Sequence, residues 1–355
     1  MTAAINESGF GGHTVSAGYA SQLMRYAIAQ GASSEELATY CGIRIDDLDD
    51  RDRRISLARY VALMTAAKRL CADPALALRL GAAEDIKEFS VVGLICYAAP
   101  TMGEALAELN RYGRLVAELD IPGGGARFVV ERQDSEVWLV DTRRDPDGFP
   151  ELTESTWSRF IAETRRHFPD APFAKAVHVT HAAPAHAAEY ERILGAPVTF
   201  DSTRNALSID PSWLALPLHA PNRYVFGVLS EHATRLLANL ETSKTMCGRV
   251  EHLLLPILHK GDVTMEYVAK QFGMSRQSLY RRLAEETASF EHLVDDLRRR
   301  MALGYLDGQR TSVNETAYLV GFSDPSSFSR AFKRWTGTSP RAWMRAKRHP
   351  ISTGS

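Results

Sequence analysis

The sequence predicts a chain in two parts, a mixed α/β body that is helical at its start, followed by an all-α module carrying two helix-turn-helix units. Three observations predict it. Amphipathic segments joined at a glycine occur twice in the C-terminal third, at Val263–Leu283 and Val313–Trp335. Upstream, helical periodicity gives way after Leu119 to short alternating runs set between turn residues. Charge divides at the same place: residues 249–355 carry 17 Lys and Arg against 11 Asp and Glu, a formal +6, while residues 1–248 carry 25 against 32, a formal −7. The net charge of −1 therefore conceals a basic module on an acidic body.

Read in order, Val15–Gln30 and Ser34–Tyr40 fit helices separated by Gly31. Ser56–Leu70 (SLARYVALMTAAKRL) has a clear apolar stripe and stops before Asp73–Pro74. Phe89–Tyr97 (FSVVGLICY) is the most apolar run; it is too short to cross a bilayer and fits a strand or a buried helix equally. Met102–Leu119 is a further helix, ended near the turn at Pro122–Gly125. Ala126–Arg132 and Glu136–Asp141 then fit a hairpin around Gln133–Asp134. Thr153–His167 returns to the helical period, and Ala176–Thr180, Val198–Phe200 and Ala206–Ile209 are short strand candidates. After the helical run His232–Leu240, the polar stretch Glu241–Thr245 and Gly248 mark the passage to the module. The expected domains are a body over 1–235, a linker over 236–248, the basic module over 249–345 and a tail over 346–355.

The first unit, VTMEYVAKQFGMSRQSLYRRL, places Val263, Tyr267, Val268 and Phe272 on one helix, turns at Gly273–Met274, and continues in a helix carrying Leu279 and Leu283 behind a Ser275 cap. The second repeats the plan with Val313, Ala317 and Val320, a turn at Gly321, and Phe328, Phe332 and Trp335, entered through an Asp324 cap and Pro325 at the first helical position. Ala269 and Ala317, each four residues before a glycine, are the small residues that two closely crossing helices require. Arg276, Gln277, Tyr280 and Arg281 fall off the apolar face of the first unit; Ser326, Ser329, Arg330 and Lys333 fall off that of the second. Arg and Gln read base edges in the major groove, whereas Ser, Lys and backbone amides more often hold phosphate. One such pattern is a weak signal; two in one basic module point to sequence-specific binding of double-stranded DNA. Trp335 and Trp343 lie at core spacing, and Arg298–Arg300 fit phosphate contacts and plain surface equally.

Enzyme chemistry finds little footing. The chain has no GxSxG, GxxxxGK[ST], HExxH, or GxGxxG opening a helix after a strand. His178, His181 and His186, with Glu189 nearby, form a histidine cluster without cysteines at ligand spacing and with Ala183–Pro184 marking a loop, so no metal site, catalytic residue or cofactor is expected. Cys41, Cys71, Cys96 and Cys247 are scattered and read as reduced core thiols, with a redox-sensing thiol as the alternative. Without a leader pattern or a long apolar span, a cytoplasmic location away from membranes is expected.

The region Arg249–Arg345 resembles the DNA-binding domain of AraC/XylS-type transcriptional regulators, most specifically over GFSDPSSFSRAFKRWTGTSPRAWM, Gly321–Met344. The resemblance implies two helix-turn-helix units joined by a linker helix, whose place is taken by Phe290–Leu306 (FEHLVDDLRRRMALGYL), with both recognition helices entering successive major-groove segments. By position it assigns base-facing roles to Gln277, Tyr280 and Arg281 in the first helix, and to Pro325, Ser326, Ser329 and Arg330 in the second. Pro325 departs from the polar residues some members use, and Thr316 stands where a branched apolar residue is usual. A proline packs but cannot donate, so the second helix is expected to position more than it specifies. The body resembles, through Ser56–Leu80 with its lead-in Arg51–Arg54 and through GAPVTFDSTRNALSIDPSWLALPL (Gly195–Leu218), the arabinose-binding-type N-terminal domain of the subgroup that includes ornithine and virulence-gene regulators, distinct from a cupin barrel.

That second resemblance implies a body that senses a small molecule, dimerises, or both. A small-molecule pocket needs apolar walls and a few convergent polar groups, for which Phe89, Tyr97, Tyr112, Phe128, Trp138, Asn205 and Trp213 are candidates by composition. The expected protein is an effector-controlled activator, a homodimer acting on promoter DNA and RNA polymerase. The alternatives are a repressor or ligand-independent dimeric regulator, or a metabolite-binding or enzymatic body with an appended DNA-binding module.

Overall fold

Ser16 sets where the first helix begins. Apolar periodicity predicts helix from Val15, but β1 (Thr14–Ser16) pairs antiparallel with β2 (Arg54–Ser56), and the Ser16 hydroxyl then caps α1 (Ala17–Ala29) by accepting from the Tyr19 amide at 3.2 Å. The computed structural model describes residues 12–133, 136–171, 173–218, 223–261, 263–307 and 311–348. They divide into two units, Met1–Leu237 and Ala238–Ser355, each with its own cores.

In the first unit, α2 (Ser34–Cys41) and α3 (Leu57–Leu70) pack with α1 around Leu23, Leu37, Leu63 and Leu76. Leu76 opens α4 (Leu76–Ala83), a helix that periodicity does not announce because LALRLGAA is apolar on nearly every side. The ambiguous apolar run is helix α5 (Val91–Ala98), capped by Ser90 and burying Val91, Val92, Ile95 and Cys96. Helix α6 (Met102–Val116) stops short of the expected Leu119 because Ala117 leaves it to bridge Val15.

Strands β3 (Phe128–Gln133), β4 (Glu136–Asp141), β5 (Ala174–His178), β6 (Val198–Thr199) and β7 (Asn205–Ile209) form a sheet in the order β3-β4-β7-β5-β6, antiparallel except for β5 with β6. Gln133, expected in the turn, is the last rung of the hairpin opposite Glu136, and Asp134 lies outside the described residues. β5 ends at His178, ahead of the expected Thr180, whose amide donates to the Asn205 side chain at 3.1 Å instead of continuing the ladder. One sheet face, with Val137, Leu139, Val177, Leu207 and Ile209, packs on Trp157 and Ile161 of α7 (Pro150–His167) and on Tyr190 and Leu194 of α8 (Ala187–Leu194).

Helix α7 covers the whole of the expected Thr153–His167 segment and differs in where it starts and in what it buries. Pro150 starts it three residues before Thr153, and Thr153, Glu154, Ser155, Thr156 and Ser158 are all buried. Burial without hydrogen bonds would be costly. Ser158 donates to the Leu78 carbonyl at 2.6 Å, Arg143 donates to Thr153 at 2.8 Å, and Arg127 bridges Thr156 and Asp141. Gly81 permits the close α4–α7 crossing, since a Cβ there would lie 2.2 Å from the Ser155 carbonyl oxygen.

The unit boundary falls within α9 (Arg223–Thr242), and the second unit continues through α10 (Met246–Leu254), α11 (Met265–Gln271), α12 (Arg276–Glu285), α13 (Phe290–Asp307), α14 (Val313–Leu319), α15 (Pro325–Thr336) and α16 (Pro340–Arg348). Val250, Leu254, Val268, Leu279, Leu283, Leu293 and Leu297 make one core; Ala302, Leu306, Ala317, Val320, Phe328 and Phe332 make a second. Helix α13 supplies both, which makes it the linker, with Met301 packed against each. Trp335 and Trp343 flank the second core, half-buried.

Candidate nucleic-acid interface

Each helix-turn-helix unit is built from a cap, a glycine and a buried pair. In the first, Thr264 caps α11, Gly273 turns the chain with φ +63°, and Ser275 caps α12 by accepting from the Ser278 amide at 3.1 Å. Val268 and Ala269 pack against Leu279 and Leu283. Tyr267, expected in this core, stands outside it, and Met265 is buried in its stead, in line with Val268 and Ala269 three and four residues on.

The opposite face of α12 is exposed. The side chains of Arg276 and Arg281 are 68% and 75% accessible, Tyr280 is 62% exposed as a residue, and Gln277 is exposed between them. Arg276 lies 3.1 Å from Glu266 and Arg281 lies 3.8 Å from Glu285, ion pairs in open solvent that contribute little. Arg276, Gln277 and Tyr280 line a cleft of about 410 Å³ with Met265 and Glu291. The sequence reading missed Glu291, which belongs to α13 and shares this cleft with the α12 residues.

The second unit is more tightly tied. Ser312 and Glu315 form a capping box at α14, with the Ser312 amide donating to Glu315 at 2.7 Å and the Glu315 amide donating to the Ser312 hydroxyl at 3.2 Å. Thr316 is fully buried where a branched apolar residue was expected. Its β-branched shape fills that space while its hydroxyl bonds the Ser312 carbonyl and the Thr311 hydroxyl, each at 2.9 Å. Gly321 turns with φ +83° against the Leu258 carbonyl. Asp324 caps α15 by accepting from the Ser327 amide at 2.8 Å, and Pro325 follows at the first helical position. The cap hydrogen bonds from Ser327 hold the Asp324 carboxyl below the usual carboxylate range.

Ser326, Arg330 and Lys333 are exposed on the face away from Phe328 and Phe332. Arg330 donates to Ser327 at 2.9 Å, and Ser329 donates back to the Pro325 carbonyl at 2.8 Å, so Ser329 is committed within its helix. Arg299 and Arg300 pair with Asp296, and Arg300 also with Glu251 at 2.7 Å. Arg298 lies over the Phe322 ring at 5.1 Å. Each of these α13 arginines thus has a partner inside the unit.

The composition-based candidates in the body lie in separate places. Phe89 is in the helical core, edge-on to Tyr19 at 5.2 Å. Phe128 and Trp213 share the core under the sheet, where Trp213 stacks on Phe173 and donates to Thr164 at 3.0 Å. Trp138 occupies the other sheet face, against His178 and under Arg204. Tyr112 bonds Thr234, Asn205 bonds Thr180, and Tyr97 is partly exposed beside Lys87 and His167. The histidine cluster separates too, with His178 at Trp138 and both His181 and His186 at Tyr190. No group of three or more metal-ligating side chains occurs among the described residues.

Residues 31–218 match the family described as the arabinose-binding domain of AraC transcription regulator, N-terminal, and residues 268–346 match a helix-turn-helix domain family. The chain is 26% identical over 341 residues to the ornithine utilization regulator of Pseudomonas aeruginosa, spanning 95% of this chain and 98% of that protein. It is 27% identical over 299 residues to the HTH-type transcriptional regulator VirS of Mycobacterium tuberculosis, spanning 82% and 85%. Among solved structures it matches the DNA-binding domain of AdpA in complex with a target DNA, at 29% identity over 31% of this chain and 99% of that one, with a TM-score of 0.28.

Proposed function

The chain belongs to the AraC-type transcription regulators with an arabinose-binding-type N-terminal domain and is a DNA-binding regulator, and from that premise we propose that it reads promoter DNA with α12 and α15 under the control of a small molecule bound by its body. The observation that carries this is the pairing of two capped helices whose apolar faces are buried and whose Arg, Gln, Tyr, Ser and Lys faces are open. Gln277, Tyr280 and Arg281, all exposed and with Arg281 held only loosely by Glu285, supply base readout from α12. On α15, Pro325 and Ser329 offer no free donor to a base, which leaves Ser326 and Arg330 as its base-facing donors and Lys333 to hold phosphate, so this helix positions more than it specifies.

In this reading residues 1–235 sense and dimerise, 236–248 join, and 249–345 read DNA. Regulation is by activation, with RNA polymerase as the partner at the promoter, and it takes place in the cytoplasm. The family membership supports that reading. Selection of bound fragments from a random-sequence pool, followed by footprinting, tests it: two protected segments about one helical turn apart per half-site are expected. A single short segment would contradict the two-helix docking.

A further inference from the structure

Glu291 is an acidic side chain on the recognition-helix face of a basic module. It stands in the first turn of α13, held in place by its neighbours: Phe290, Leu293 and Val294 are buried in the first core, and the His292 amide donates to the Ser289 hydroxyl at 3.2 Å. Glu291 itself is exposed, and it lines one cleft with Met265 and with Arg276, Gln277 and Tyr280 of α12. It therefore shares a recess with side chains of the open recognition face. Arg276 pairs with Glu266 at 3.1 Å, and among the described residues no ion pair or hydrogen bond engages Glu291.

A carboxylate in the first turn of a helix is favoured by the helix dipole. Phosphate repels it, so beside DNA its charge is compensated only by a donor on the bases. An ionised carboxylate accepts and cannot donate. Guanine shows the N7 and O6 acceptors in the major groove and thymine shows O4, all of which a carboxylate repels. Adenine sets its N6 donor beside the N7 acceptor, a pattern that suits the amide of Gln277. Cytosine presents the N4 amino group without a neighbouring acceptor, and this edge matches Glu291.

We propose that Glu291 is a specificity-determining residue for DNA reading, accepting a hydrogen bond from the N4 amino group of a cytosine in the segment that α12 contacts. It selects cytosine and rejects guanine and thymine at that position. This rests on the reading of α12 as a base-reading helix and adds to it a residue from outside both helix-turn-helix units.

Selection from a random-sequence pool by the full-length protein, with a cellular metabolite extract present, gives the base preference at every position of the site. Repeating it with Glu291→Ala, Glu291→Gln and Arg281→Ala tests the assignment. In the segment where Arg281→Ala changes base preference, Glu291→Ala is expected to lower the preference for one cytosine over guanine and thymine about tenfold or more. The other positions stay unchanged, and binding to random DNA is no weaker. Glu291→Gln, which brings an amide, is expected to move that position towards adenine. Loss of a helix-dipole partner alone would lower the urea midpoint and leave base preference untouched. If the alanine variant does not fold, the glutamine variant keeps the side chain's shape and carries the test. Base preferences that Glu291 variants leave identical, a loss spread evenly over all positions, or a change confined to the other segment would overturn the role of Glu291 while the reading of α12 stands. Selection of no site by the unsubstituted protein, or no change of preference in Arg281→Ala, would overturn the reading of α12 itself.

Discussion

Arg281 and Lys333 are both exposed cations on recognition helices, yet their surroundings give them different work. Among the described residues the Arg281 guanidinium is tethered only by a 3.8 Å pair with Glu285 in open solvent, which contributes about 0–1 kcal/mol and is given up at little cost when a base edge is offered. Arg281→Ala is expected to weaken a selected site by about 1–3 kcal/mol while scarcely changing binding to random DNA. Lys333→Ala should weaken both and lower the slope of log affinity against log salt by about one. Equal losses on both DNAs for Arg281→Ala, measured by fluorescence anisotropy, would remove it from base readout. The thiols lead to a negative expectation. Burial pushes Cys96 and Cys247 up to about 12, with Glu108 and Glu286 respectively adding to it, so little thiolate exists at neutral pH. Iodoacetamide at pH 7.5 should leave both unmodified over minutes by mass spectrometry; rapid alkylation of Cys247 would reopen a redox role.

At the scale of the elements, the two turn glycines are unequal. Both have positive φ, but a Cβ at Gly321 would meet the Leu258 carbonyl oxygen at 2.2 Å, whereas none of the described residues comes within 4 Å of one at Gly273. Gly273→Ala is expected to cost about 1 kcal/mol from backbone strain alone and Gly321→Ala about 2 kcal/mol or more. Urea unfolding of the two variants checks this, and equal losses would contradict the described packing at Gly321. The caps carry a pH dependence. Asp324 and Glu315 are held below their ordinary values by hydrogen bonds from Ser327 and Ser312, so their stabilisation is present above the ordinary carboxylate range and is lost as pH falls through the lowered values. The α14–α15 unit should therefore loosen in acid, and Asp324→Asn should flatten that dependence in a thermal-unfolding series.

These same elements show what the sequence made legible. Ser275, Asp324–Pro325, Gly273 and Gly321 are local signals, so caps and turns of the second unit could be placed from single residues. Tyr267 could not, because the buried stripe of α11 runs through Met265, Val268 and Ala269 and leaves the adjacent Tyr267 outside it. Helix α4 was silent because it is apolar on nearly every side, and α7 was legible as a helix but not in its buried Thr and Ser side chains, which are satisfied by Arg127, Arg143 and the Leu78 carbonyl, remote in sequence. Glu154 and Tyr190, 36 positions apart, gave no signal of meeting.

At the scale of the molecule, the formal +6 of residues 249–355 and −7 of residues 1–248 separate a DNA-seeking part from one that phosphate repels. Affinity for any DNA should fall steeply with salt, while the preference for a selected site over random sequence should persist, since base contacts and not counterion release carry it. The central claim is that this chain is a sequence-specific regulator whose DNA reading is tuned by a small molecule. Its most direct test is occupancy by the purified full-length protein across fragments of its own genome at physiological salt, with and without a metabolite pool. The account predicts discrete peaks whose heights change when the pool is added; binding everywhere without peaks, or peaks indifferent to the pool, would contradict it.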